Sequence, residues 1–110
     1  MKNGDDLHRR RKQIDLLDSE LLRLLNQRAK VACELASIKK SCGLEVYDGR
    51  REQQILDRLC TENPGPLEAE ALISIFRCII SESRKLEDTS MQQLDREGPA
   101  ETRFGAGNDF

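Results

Sequence analysis

The sequence predicts an all-helical chain of three helices, long, short and long, and three observations carry that expectation. Apolar residues recur at alternating spacings of 3 and 4, the signature of one helical face. Strand-favouring aromatics are scarce, with one Tyr, three Phe and no Trp, while helix formers dominate. Pro and Gly fall between the periodic stretches or at their ends, where they interrupt nothing.

The first stretch runs Ile14, Leu17, Leu21, Leu24, Val31, Leu35, Ile38 and predicts a helix from about Asp6 to Cys42, with Gly43 as its C-cap. About 35 residues at 1.5 Å each span about 50 Å, whereas a compact domain of about 100 residues has a radius of gyration near 13 Å. A helix of that length outruns the cover its own chain can give. The seam is therefore expected to continue into a second copy, forming a homodimer built around this helix. Gly43 to Asp48 reads as a loop, and Asp48 caps a second helix from about Gly49 to Cys60 with Ile55, Leu56 and Leu59 inward. Asn63-Pro64-Gly65-Pro66 breaks the chain. A third helix is expected from near Leu67 to Gln93 or Leu94, turning Leu72, Ile73, Ile75, Phe76, Ile79 and Ile80 towards the core. From Asp95 the composition shifts to Gly, Pro and scattered charges, so residues 1–94 form the expected domain and 95–110 a flexible tail without assigned function.

Composition narrows the chemistry. A formal net charge of −2 argues against a nucleic-acid binder, and the basic run from His8 to Lys12 reads as a solvated helix start. No stretch reaches the roughly 18 apolar residues that span a bilayer, and the N-terminus carries no secretory core, so a cytoplasmic protein is expected. Cys33, Cys42, Cys60 and Cys78 form no CxxC motif and are read as free thiols. With one His, no GxSxG and no glycine-rich phosphate loop, hydrolase, kinase and zinc readings have little to stand on. Charged side chains must supply the chemistry.

Those charges stand where apolar residues belong. Arg28 occupies the seam position between Leu24 and Val31, and a buried charge needs a partner. Lys39 lies eleven residues on, rotated only about 20° from Arg28, and Arg11 precedes Lys39 by four heptads. On the third helix Ser83 and Glu87 continue the stripe of Phe76 and Ile80, and on the second at least one of Arg51 and Glu52 should face inward. Salt bridges explain any one of these residues. Together they describe a buried polar pocket suited to an anionic ligand.

The stretch Arg11-Lys12-Gln13-Ile14-Asp15-Leu16-Leu17-Asp18, then Leu21-Leu22, Leu24-Leu25, Arg28 and Lys39, resembles the N-terminal signature of the all-helical, type II chorismate mutase family, and Asp48, Arg51-Glu52 and Ile79-Ile80-Ser81-Glu82-Ser83 continue the match. The resemblance covers roughly residues 7–90. It implies an intertwined dimer in which each active site borrows a residue from the other protomer's long helix. It also implies an isomerase that rearranges chorismate to prephenate on the route to phenylalanine and tyrosine. That pericyclic reaction requires no cofactor, metal, nucleophile or proton transfer.

Carried over by position, Arg28 and the partner subunit's Arg11 would grip the substrate carboxylates, supported by Ser83 and Arg51. Lys39 would donate to the ether oxygen, Glu52 and the backbone around Asp48 would hold the ring hydroxyl, and Glu87 would be the second group at the ether. Many relatives carry Gln in place of Glu87, and the tail has no counterpart in the minimal domain. Family members are often fused to other enzymes of the pathway, which leaves room for a regulatory partner enzyme. The competing readings are an isochorismate-pyruvate lyase on the same scaffold and a non-catalytic helical dimerisation module.

Overall fold

The computed structural model describes the backbone of residues 2–97 and the side chains of residues 3–90, and the described chain is three helices: α1 Lys2–Ser41, α2 Gly49–Glu62 and α3 Ala69–Glu97. The long, short, long pattern is the expected one. The bounds differ by a few residues: α1 begins at Lys2 rather than Asp6, and α3 ends at Glu97 rather than Leu94. Gly4 sits inside the first turns of α1 at the cost a single glycine carries. Residues 98–110, most of the expected tail, lie outside the described residues.

The helix ends follow from local chemistry. Gly43 adopts φ 72°, and the Gly43 amide donates to the Lys40 carbonyl at 3.1 Å while the Leu44 amide donates to that of Lys39 at 2.8 Å. This is a Schellman close, which satisfies carbonyls the helix itself leaves open. Gly43→Ala puts a Cβ on a left-handed residue, and we expect it to lower stability by about 1–2 kcal/mol, read as a lower denaturation midpoint in urea. Asp48 caps α2, its Oδ1 accepting from the Arg50 and Arg51 amides at 3.1 and 3.3 Å. Between α2 and α3 the Asn63 side chain stitches the turn: Oδ1 accepts from the Gly65 amide at 3.0 Å and Nδ2 donates to the Leu67 carbonyl at 2.7 Å.

The chain divides into two compact units, Met1–Val31 and Ala32–Phe110. Within the first, every described side chain from Asn3 to Gln27 is exposed in the single chain, including Ile14, Leu17, Leu21 and Leu24 of the apolar seam. The second unit comprises the last turns of α1 with α2 and α3. Its core draws one apolar residue from each helix: Ala36, 1% exposed, with Leu56 and Ile80. Small residues form the inward face of these α1 turns, Ala32, Cys33 and Ala36, while Leu35 and Ile38 of the seam stay exposed. The Ser90 hydroxyl, 3.7 Å from the Cys33 sulfur, ties α3 to that face. Ile75 departs from expectation: it is 46% exposed, whereas Leu72, Ile73, Phe76 and Ile79 are half-buried. The inward stripe of α3 is narrower than the cluster of apolar residues in its sequence, because a helix packed on one side buries only one arc.

Candidate active site

In the first unit, Arg11 is exposed and Arg28 is half-buried on α1. The second unit carries the other six expected contact residues: Lys39, Asp48, Arg51, Glu52, Ser83 and Glu87.

Lys39 comes from the last turn of α1, and its half-buried ammonium donates to the Val46 carbonyl at 3.4 Å. The loop after Gly43 thus folds back over the residue expected to serve the chemistry. Asp48 commits its Oδ1 to the amides that start α2, which orients the backbone around it. Of the neighbours Arg51 and Glu52, Glu52 is half-buried and Arg51 is exposed. Ser83 is 8% exposed and the only buried polar residue among those described, one turn beyond Ile80, and it is hydrogen-bonded or otherwise engaged, as is half-buried Glu87. A serine thus stands buried where the periodicity calls for an apolar side chain, and a buried polar group needs the partner it has.

Two residues were not singled out from the sequence. Arg84 of α3 forms an ion pair with Glu52 Oε2 of α2, and its guanidinium carbon lies 3.9 Å from the centroid of the Tyr47 ring. Partial burial disfavours the Arg84 cation, but the hydrogen bond and charge of Glu52, helped by Tyr47, outweigh it and hold the guanidinium pKa above its ordinary value. The signal was present: Arg84 follows Ile80 by four residues and precedes Glu87 by three, which is as good a helical spacing as that of Ser83.

Cys33, Cys42, Cys60 and Cys78 carry no disulfide. Among the described residues no helix is long and apolar enough to cross a membrane.

Residues 10–88 match the family model of chorismate mutase type II. The chain is 31% identical over 86 residues to the chorismate mutase of Methanocaldococcus jannaschii, covering 76% of this chain and 85% of that protein. It is 39% identical over 87 residues to the bifunctional chorismate mutase/prephenate dehydratase of Aquifex aeolicus, covering 76% of this chain and 24% of that protein. The chain therefore spans about a quarter of the length of that bifunctional relative. The solved chorismate mutase (form II) from Thermus thermophilus superposes with a TM-score of 0.69 at 37% identity, covering 71% of this chain and 89% of that one. The family match spans parts of all three helices, and the chain belongs to the chorismate mutase type II family.

Proposed function

We propose that this chain, through residues 1–94, catalyses the rearrangement of chorismate to prephenate in the cytosol as a homodimer. The observation that carries this reading is the extent of the family match: residues 10–88 include every candidate contact residue from Arg11 to Glu87. The substrate is a dicarboxylate with an enolpyruvyl ether, and its rearrangement makes one C–C bond as one C–O bond breaks within the same molecule. The protein's task is to hold the compact chair-like geometry and to stabilise charge at the ether oxygen.

Arg28 and the partner subunit's Arg11 bind the carboxylates, since guanidinium offers forked donors that stay charged. Arg51 and Ser83 support them, Glu52 accepts from the ring hydroxyl together with the backbone around Asp48, and Lys39 and Glu87 meet the ether oxygen. Support for the dimer comes from α1. Burying a Leu or Ile side chain is worth about 1.5–3 kcal/mol, and the single chain leaves Ile14, Leu17, Leu21, Leu24, Leu35 and Ile38 exposed along one helix. A second copy presenting the same seam covers them. Relatives that carry a prephenate dehydratase in the same chain support association with a partner enzyme of the pathway.

Following chorismate consumption and identifying the product tests the reading. Prephenate is expected; pyruvate release, or no turnover by the folded dimer, overturns it.

Glu87 makes the activity pH-dependent. It can donate to the ether oxygen only when protonated, whereas Gln donates at any pH. An ionised Glu87 sets a negative charge against an oxygen that is becoming negative. Activity is therefore expected to fall as pH rises through the apparent pKa of Glu87 in the substrate complex, and Glu87→Gln to flatten that fall while leaving a working enzyme. Profiles of kcat for the two proteins check this across the range in which both stay folded. Matching profiles, or a Gln variant inactive throughout, remove Glu87 from the ether oxygen.

A further inference from the structure

The substrate contacts proposed above leave out most of a cluster formed by Tyr47, Gly49, Glu52 and Arg84, which joins the loop before α2, α2 itself and α3. Arg84 pairs with Glu52 Oε2 and lays its guanidinium 3.9 Å from the centre of the Tyr47 ring. The Tyr47 hydroxyl in turn lies over Gly49, where an added Cβ would meet it at 3.0 Å. Glycine at the first position of α2 thus gives the ring room to lie where it does. The Arg84 and Glu52 side chains are 41% and 28% exposed, and an ion pair that open to water adds little to stability. Its geometry is nevertheless fixed on two sides. The stack orients the guanidinium plane, and the plane directs a forked donor at one carboxylate oxygen.

We propose that Arg84 is a positioning residue that sets the Glu52 carboxylate for the ring hydroxyl of the substrate, with Tyr47 holding the guanidinium in place. This inference rests on the function proposed above and on Glu52 as the hydroxyl acceptor. A carboxylate has two oxygens; Arg84 takes Oε2, and Oε1 accepts from the substrate. Arg84 itself touches no reacting atom. Its effect is confined to the hydroxyl and leaves the carboxylate and ether contacts as they are.

The test compares chorismate with an analogue in which hydrogen replaces the ring hydroxyl. Misplacing a contact group by about 1 Å can cost as much as about a hundredfold in rate, and for a single hydroxyl contact we expect a more modest loss. Arg84→Gln is expected to lower kcat/KM for chorismate about tenfold, mainly through KM, and to change kcat/KM for the analogue less than about twofold. Tyr47→Leu should act in the same direction and more weakly. In a Glu52→Gln background, Arg84→Gln should add almost nothing, because the group it positions is gone.

An equal loss on both substrates, or additive losses in the double variant, overturns the proposal in favour of a structural role. Should Arg84→Gln fail to fold, Arg84→Lys carries the same comparison, since it keeps a charge for Glu52 and gives up the planar stack. A wild-type protein that leaves chorismate unchanged defeats the proposed function instead, which separates the two failures.

Discussion

Lys39→Ala is expected to lower kcat by about a hundredfold to a thousandfold, or about 3–4 kcal/mol, the usual cost of removing one donor aimed at developing charge. The Kd of chorismate should change far less. The ether oxygen gains most of its negative charge as the C–O bond breaks, so a donor there is stronger in the transition state than in the ground state. The setting of Lys39 is compatible with that proposed role. Its ammonium donates to the Val46 carbonyl at 3.4 Å, a long bond that uses one of three N–H groups and leaves two for the substrate. Single-turnover measurement of the chemical step, beside equilibrium binding of chorismate, separates the two effects. A variant that keeps most of its kcat would move the ether contact to another residue.

The reach of the sequence follows from what local spacing can encode. The end of α1 was legible because Gly43 supplies a left-handed residue where the 3 and 4 periodicity stops, and the start of α2 because Asp48 is a capping residue. The choice between Arg51 and Glu52 was not. Both precede Ile55 by about one turn and Leu59 by about two, and only packing against α3 turns Glu52 inward and leaves Arg51 exposed. Arg84 was missed for a related reason. Its spacing on α3 was readable, but its partners Glu52 and Tyr47 lie 32 and 37 residues away, and a pairing at that separation is set by the tertiary fold. The seam of α1 shows the opposite case. Its apolar spacing was plain, yet Leu35 and Ile38 face away from the chain's own core, which takes the small residues Ala32, Cys33 and Ala36 instead. One helix carries two apolar faces, a narrow one of small residues for its own chain and a broad one of large residues that the chain does not cover.

That broad face leads to a second large expected effect. If the seam of α1 is covered by another copy, and each site takes Arg28 from one chain and Arg11 from the other, then Arg11→Ala and Arg28→Ala homodimers each lose a carboxylate contact at both sites. Truncating one partner of a buried charge pair costs about 2–5 kcal/mol, enough to make each variant nearly inactive alone. Unfolding the two variants together and refolding them at equal concentration changes the outcome. A heterodimer has one site in which both arginines are intact and one in which both are missing. With random pairing about half of the dimers are mixed, so about a quarter of all sites regain both cations. Activity should rise from near zero to about a quarter of that of the unsubstituted protein, and purifying the mixed dimer through two different tags should raise it to about half. A site built from one chain predicts no recovery, because each variant chain would carry its own defect into any dimer. Mixed dimers that form, bind through the α1 seam and stay inactive would therefore leave the dimer standing and take Arg11 out of the partner's site.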